Sequence, residues 1–221
     1  GLVGSEMCIR DRLTLTDCFE YDEQTYNYYG SYSFTGTKIE QAVVTAILNV
    51  TTDDKVVVDM IKGNNEQDYS SLKTLLENNA YQVNEVSLAT GDFDSNAKIA
   101  IMYAPSVDLD EKIVEKLSTW LSNDGKYGRS LIYVPTADMG EMPNLDDFLK
   151  EWGMSIDRGY VFETDESTLV SASSPYAFTV SYGDYYKDNL KNSKIPVVVS
   201  ESHAVNITDE NTAHALLKTS D

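Results

Sequence analysis

The chain has 221 residues and a mass of 24.7 kDa, with 42% hydrophobic and 24% charged residues, as is typical of a globular protein. Seventeen lysine and arginine residues stand against 36 aspartate and glutamate residues, so the net charge is −19. Phosphate backbones and anionic membrane surfaces would repel a chain this acidic, which argues against nucleic-acid binding. The longest apolar runs, at 42–50 and 99–105, are far shorter than the roughly 18 residues that a membrane-spanning helix needs.

The first twelve residues, GLVGSEMCIRDR, resemble the translated end of a transposon adapter used to prepare sequencing libraries. We interpret 1–12 as an adapter artefact and exclude it from the fold. Without it the net charge is still −19 and Cys8 is lost, so Cys18 has no disulfide partner. We expect the native chain to extend beyond both ends of this fragment.

From residue 13 to 36 the chain is polar and rich in tyrosine, which predicts an extended linker or strands. From 37 to 153 helical and strand periods alternate, which predicts an α/β domain. Thr37 and Glu40 form a capping-box pattern before a helix whose apolar residues repeat at helical spacing: Ile39, Ala42, Val43, Ala46, Ile47 and Val50. Next come a strand at 56–61 and a helix that is capped by Asp68 and has Tyr69, Leu72, Leu75 and Leu76 inward. Strands at 81–88 and 98–103 follow, and then a helix at 108–125, a strand at 130–134 and a helix at 145–152.

Helix ends are marked by a second capping box, Asp108 with Glu111, and by Asn144 and Gly153 at the two ends of the last helix. The element order predicts an open, mainly parallel sheet with helices on both faces, of the class I glutamine amidotransferase-like or flavodoxin-like kind. Strand-like runs at 160–163, 177–182 and 195–200 predict a more β-rich extension, 154–221, that is truncated at its end.

A candidate ligand site lies where the first and third strands of this sheet end. If the strand order is 2-1-3-4, the loops that follow these strands meet at the carboxyl edge, where ligands of open α/β sheets collect. The candidate binding residues are Gly63, Asn64, Glu66, Pro105 and Ser106. A single glycine and a single lysine in 62–67 argue against phosphate binding, so we expect a small polar ligand or a peptide.

Five segments follow one another along the chain: KIEQAVVTAILNVTTDDK, DYSSLKTLLENNAYQVNEVSL, IMYAPSVDLDEKIVEKLSTWLSNDGK, PNLDDFLKEWGMSIDRGYVFETD and the final ALLKTSD. Taken in this order, they resemble the GldG-like auxiliary proteins of ABC transport systems, a family associated with gliding motility. The resemblance implies a domain held outside the bacterial cell membrane beside an ABC permease and its ATPase. The family commonly shows Gly-His-Gly-Glu after the first strand, whereas this chain has Gly63-Asn64-Asn65-Glu66.

An amidotransferase would place its nucleophile on the turn after Val134. That turn reads Pro135-Thr136-Ala137-Asp138, with neither cysteine nor serine, although His203 lies where a base would be expected. The two histidines and Cys18 lie too far apart in sequence for a typical zinc site. Asp108, Asp110 and Glu111 are better explained as helix-capping residues than as calcium ligands.

We therefore expect a non-catalytic, extracytoplasmic accessory or ligand-sensing domain of an ABC-type transport system, with no cofactor and no metal. Two alternatives remain open. An amidotransferase-like or hydrolase-like enzyme would be favoured by His203 lying against Ser106 or Thr136. A purely structural interaction module would have its crevice filled by its own side chains and an exposed apolar patch on its outer helices.

Overall fold

The computed structural model describes residues 13–52, 54–136, 138–171, 173–187, 190, 192 and 194–219. The chain forms two compact units. Of the described residues, one unit holds 13–52 and 54–58 together with 69–84 and 96–98, and the other holds 59–68, 85–95 and those from Ile99 onward. None of the helices in the described ranges has both the length and the hydropathy of a membrane span.

The first unit contains four helices and a small antiparallel sheet. They are α1 (Leu15–Cys18), β1 (Phe19–Tyr21), α2 (Glu23–Tyr29), β2 (Phe34–Thr37), α3 (Ile39–Thr51) and α4 (Ser70–Asn78), with β1 paired to β2. The extended structure predicted for 13–36 is therefore found only in β1 and β2. The Asp22 side chain accepts a hydrogen bond from Thr25 N at 3.0 Å, and Gly30 ends α2 with a φ of 66°.

Helix α3 lies where the sequence predicts it, but the predicted capping box is not formed. Lys38 occupies the capping position without a side-chain bond, and Thr37 Oγ1 only accepts a long contact of 3.5 Å from Ile39 N. Small and polar residues make up most of its inward face, together with the half-buried Leu48. Ala42 is buried, and Thr45 Oγ1 donates to Asn78 O at 2.8 Å.

The predicted parallel sheet is formed, in the described residues, by four strands: β3 (Val57–Ile61), β4 (Gln82–Val86), β5 (Ala97–Tyr103) and β6 (Ser130–Val134). They pair in the order β4-β3-β5-β6, which is the order 2-1-3-4 on which the candidate ligand site depends. β5 and β6 run parallel, in register from Ile99 opposite Ser130 to Tyr103 opposite Val134. Every residue of β3 is buried, as expected for a central strand covered on both faces. The α/β prediction is thus confirmed at the level of a mixed α/β chain with a parallel sheet.

Two amphipathic helices belong to the second unit. They are α5 (Glu111–Ser122), which buries Ile113, Leu117, Trp120 and Leu121, and α6 (Pro143–Glu151), which buries Leu145, Phe148 and Leu149. These buried residues follow the predicted apolar faces. The cap of α5 is Asp110, whose side chain accepts from Lys112 N at 3.0 Å, and not the predicted Asp108.

Beyond α6 the chain forms antiparallel strands and a short helix. They are β7 (Met154–Tyr160), β8 (Leu169–Ser171), β9 (Ser174–Tyr182), α7 (Asp184–Lys187), β10 (Val197–Ser200), β11 (His203–Ile207) and β12 (Leu217–Lys218). β9 pairs with β8, β10 and β12, and β7 pairs with β11. The strand predicted at 160–163 is wrong, because β7 ends where that run begins.

Gly153, in the turn after α6, is expected to tolerate a side chain poorly. Its φ is 78°, and a β-carbon there would collide with the Thr212 side chain and lie 3.1 Å from Asp209 O. Gly128 has a similar φ of 82° with nothing within 4 Å of such a carbon, so it is a matched control. We expect Gly128→Ala to cost about 1–2 kcal/mol of unfolding free energy for the left-handed backbone, and Gly153→Ala at least ~1 kcal/mol more. Urea unfolding measures both, and equal losses would contradict the packing argument.

Candidate functional site

Two loops meet at the carboxyl edge of the sheet, 62–68 after β3 and 104–110 after β5, and we call them the edge loops. Hydrogen bonds fasten them to each other. Ser106 N and Val107 N both donate to Asn64 O at 3.1 Å, and the Asn64 side chain donates back to Asp108 O at 3.1 Å. Because these bonds join the two loops, the chain's own polar groups bridge the predicted crevice at this point.

The Glu66 carboxylate shapes the first edge loop. It accepts hydrogen bonds from Gly63 N at 2.9 Å and from Asn64 N at 3.0 Å. Gly63 has a φ of 117° and Asn65 a φ of 53°, both in the left-handed region, which glycine and asparagine tolerate best. The carboxylate is therefore used within the loop, where it holds two backbone N–H groups in a tight turn.

Asp108 connects the second edge loop to helix α6. Its carboxylate accepts from Asn144 N at 3.0 Å and from Leu145 N at 3.1 Å, as well as from Leu109 N at 2.9 Å. In return, Asn144 Nδ2 donates to Leu109 O at 2.7 Å. Asn144 is therefore not the cap of α6 that the sequence predicts. Asp108, 36 positions earlier in the sequence, supplies the acceptors for the free N–H groups of the first turn.

The structure brings all five predicted site residues into the edge loops, but they differ in exposure. Asn64 is 6% exposed and Pro105 is buried, so both support the loops from within. Glu66 is half-buried, whereas Gly63 and Ser106 are exposed. Sequence reasoning missed Asn65, an exposed residue whose amide contacts the Ser106 hydroxyl, and its conformation favours the asparagine found there.

At the end of β6, His203 lies against Thr136, as the enzyme alternative requires, but the contact joins the wrong atoms. His203 Nε2 is 2.9 Å from the backbone oxygen of Thr136, and Nδ1 is 3.1 Å from Gly159 O. The Thr136 hydroxyl instead accepts from Gln67 Nε2 at 3.0 Å, and Thr136 is only 3% exposed. A base must reach the hydroxyl that it deprotonates, so this geometry holds the chain together and does not form a nucleophile–base pair.

A groove of about 720 Å³ in the second unit is lined by Trp120 together with acidic and basic side chains. The indole ring is covered on one face by Phe93, at a centroid distance of 4.4 Å, and the Arg129 guanidinium lies 5.3 Å from its centroid. Trp120 is 6% exposed, so its ring offers little surface for stacking against a ligand. Lys116 Nζ donates to Leu88 O and Gly91 O at 3.0 and 2.7 Å, which assigns it to loop support.

Tyr133 lies in β6, near the carboxyl edge of the sheet, and its pKa is clearly shifted in the folded protein. Burial raises its pKa to about 12, with the Asp146 carboxylate adding to the rise and the Arg158 guanidinium opposing it. Because the pKa of Tyr133 in the folded protein lies above its ordinary value of 10.0, the stabilisation is complete below pH 10 and is lost as the pH rises toward 12.

We therefore expect Tyr133→Phe to make the protein less sensitive to alkali. The urea midpoint of the wild-type protein should fall more steeply between pH 10 and 12 than that of the variant, because only the wild type must ionise a buried phenol. Ultraviolet titration at 295 nm should lose its highest-pH component in the variant. A titration curve that changes only at its lower-pH end would contradict the assignment.

In the part of the chain that the structure describes, no three His, Cys, Asp or Glu side chains are grouped as a metal site would require. No protein-family model matches the sequence, and no curated protein matches it. Among solved structures, the chain is similar to one described as the mmIFT52 N-terminal domain, with a TM-score of 0.55 and 14% sequence identity. The match covers 73% of this chain and 72% of that one, and at this identity it concerns the fold alone.

Proposed function

We propose that this chain is a non-catalytic, extracytoplasmic accessory domain of an ABC-type transport system that works by binding partner proteins and joins an assembly made with the permease and ATPase subunits of that system. The observation that carries the binding role is the closure of the carboxyl edge by the chain's own hydrogen bonds. Ligand-binding crevices leave polar groups free to meet a substrate. Here Asn64 and Glu66 are engaged within the edge loops, which supports a rigid platform more than a reaction chamber.

The transport context rests on the order of the segments that resemble GldG-like proteins. The parallel sheet with strand order 2-1-3-4 is compatible with a flavodoxin-like or amidotransferase-like arrangement, which we propose as the finer description of the fold. On the platform, Gly63 and Ser106 are the predicted site residues with surface to offer a small polar ligand or peptide, and exposed Asn65 adds to them.

One measurement tests the transport proposal. The protein is reconstituted in lipid nanodiscs with the ABC permease and ATPase encoded beside it, and ATP hydrolysis is compared with and without the protein. We expect a stable complex and a changed rate of hydrolysis. If no ABC permease and ATPase genes adjoin the gene of this protein, or if the three proteins form no complex, the proposal is wrong.

The purely structural interaction module is the second candidate, and two observations favour it. The edge loops are filled by their own side chains, and α3 carries exposed apolar residues. The nanodisc assay separates the two candidates, because a module outside transport would leave ATP hydrolysis unchanged.

The enzyme alternative has one observation in its favour, the contact of His203 with Thr136. If it were right, glutaminase or esterase activity would disappear in Thr136→Ala and in His203→Gln. We expect no hydrolysis of glutamine or p-nitrophenyl acetate above background in the wild-type protein.

A further inference from the structure

Helix α3 exposes most of its branched apolar side chains, although Leu48 is half-buried. Ile39, Val43, Ile47 and Val50 follow one another at spacings of four, four and three residues and are 44%, 42%, 53% and 63% exposed. We call these four residues the α3 stripe. At 1.5 Å per residue it runs for about 17 Å along the helix. Scattered exposed apolar residues are ordinary, but a continuous stripe of them marks a binding surface.

The opposite face of α3 explains why the stripe points outward. Small residues such as Ala42 and the hydrogen-bonded Thr45 face the interior of the unit. A helix that served only to cover its own unit would place its branched apolar residues inside. The stripe has the spacing with which one amphipathic helix packs against another.

A groove at the start of α3 indicates which charge the expected partner carries. It has a volume of about 810 Å³, and its lining combines the carboxylates of Glu20 and Glu40 with the apolar side chains of Ile39 and Val44. This combination suits a lysine or arginine, whose methylene stem packs on apolar surface while its charged end meets a carboxylate.

Among the described residues that line this groove, Lys38 is the only base, and it lies close to Asp17. The pKa of Asp17 is lowered mainly because Thr14 donates hydrogen bonds to its carboxylate, and to a smaller extent because of the Lys38 charge. The Lys38 charge is therefore partly balanced inside its own unit.

The charge of the surrounding chain argues against a second copy as the occupant. Residues 13–52 contain one base, Lys38, and five acids: Asp17, Glu20, Asp22, Glu23 and Glu40. Two copies would bring like charges together, each on a chain with a net charge of −19. A basic partner would instead be attracted to this surface and held in register.

We propose that the α3 stripe, with the Glu20 and Glu40 carboxylates at one end, binds an amphipathic helix whose apolar face is flanked by lysine or arginine. The proposal rests on the partner-binding part of the proposed function and not on the transport system. The peptide assay below and the nanodisc assay above can therefore fail independently.

The test uses two fluorescent peptides of about 18 residues, long enough to form a helix, with leucine at helical spacing and either lysine or glutamate elsewhere. Fluorescence anisotropy measures their binding to the whole chain. We expect the lysine peptide to bind at least about tenfold more tightly than the glutamate peptide. Ile47→Glu should weaken binding of the lysine peptide by at least about tenfold, although it adds an attractive charge.

Leu75→Glu is the matched control, because Leu75 is 54% exposed on α4 and the substitution adds the same charge away from the stripe. It should change the affinity by less than about twofold. Circular dichroism checks that Ile47→Glu is folded, and Ile47→Gln replaces it if it is not.

Three outcomes would overturn the proposal. The first is equal binding of both peptides, and the second is equal loss of affinity in Ile47→Glu and Leu75→Glu. The third is self-association in sedimentation experiments that Ile47→Glu abolishes, which would make a second copy the occupant.

Discussion

Asp108→Ala is expected to lower the unfolding free energy by about 3 kcal/mol, because three backbone N–H groups lose their acceptor at once. Two of these groups, Asn144 N and Leu145 N, open helix α6 and have no carbonyl partner within the helix. Loss of the carboxylate therefore loosens α6 and the second edge loop together. Urea unfolding followed by circular dichroism measures the loss.

Two variants control for this effect. Asp108→Asn keeps one side-chain oxygen as acceptor, and we expect it to lose roughly half as much stability. Asp110→Ala removes the single cap bond to Lys112 N at the exposed start of α5, and it should cost about 1 kcal/mol. If Asp108→Ala lowered the unfolding free energy no more than Asp110→Ala, the link between the second edge loop and α6 would stabilise the protein no more than an ordinary helix cap.

Asp59→Ala is the second substitution with a large expected effect, a loss of about 3–4 kcal/mol. Asp59 lies in the central strand β3 with no exposed surface, and its carboxylate accepts from Asp94 N at 2.8 Å. Alanine would leave a cavity in the strand and a backbone N–H without its acceptor. The bond also fastens the segment before β5, so the Asp94 amide should exchange its hydrogen faster in the variant.

Asp59→Asn is the matched control, because asparagine has nearly the same volume and keeps an oxygen that Asp94 N can reach. We expect Asp59→Asn to lose less than half as much unfolding free energy as Asp59→Ala. An alanine variant within ~1 kcal/mol of the wild type would mean that this carboxylate contributes little to the sheet.

The parallel sheet could be predicted because its signals are local. A short β-branched run such as 56–61, set between helical periods, indicates a buried strand wherever it occurs. Right-handed crossovers then leave few strand orders to choose from, and 2-1-3-4 is one of them. The apolar faces of α5 and α6 could be predicted for the same reason, from spacing alone.

The capping pattern failed where a distant part of the chain competes for the same side chain. Asp108 stands three residues before Glu111, as in a capping box, yet its carboxylate faces the start of α6. Nothing local distinguishes these two uses. The face of α3 raises the same problem, because spacing reveals an apolar stripe but not whether the molecule itself covers it. The same is true of Leu75 on α4, which was expected inward and is 54% exposed.

The candidate site was located by topology, and its internal contacts could not be predicted. Strand order placed the loops containing Gly63 and Ser106 at one edge, as the structure has them. Asn64 donates to a carbonyl 44 positions away in sequence, and His203 lies beside Thr136, 67 positions away. Such pairings depend on the folded backbone and leave no periodic pattern in the sequence.

Backbone amide hydrogen exchange in the edge loops and in the first turn of α6, measured residue by residue by NMR, tests most directly whether the carboxyl edge is a closed platform. We predict that the amides of Ser106, Val107, Asn144 and Leu145 exchange at least about a hundredfold more slowly than in the unfolded chain, because each donates to a fixed acceptor. Exchange of these four amides at unfolded-chain rates, with the strands of the sheet still protected, would show an open crevice and contradict the account.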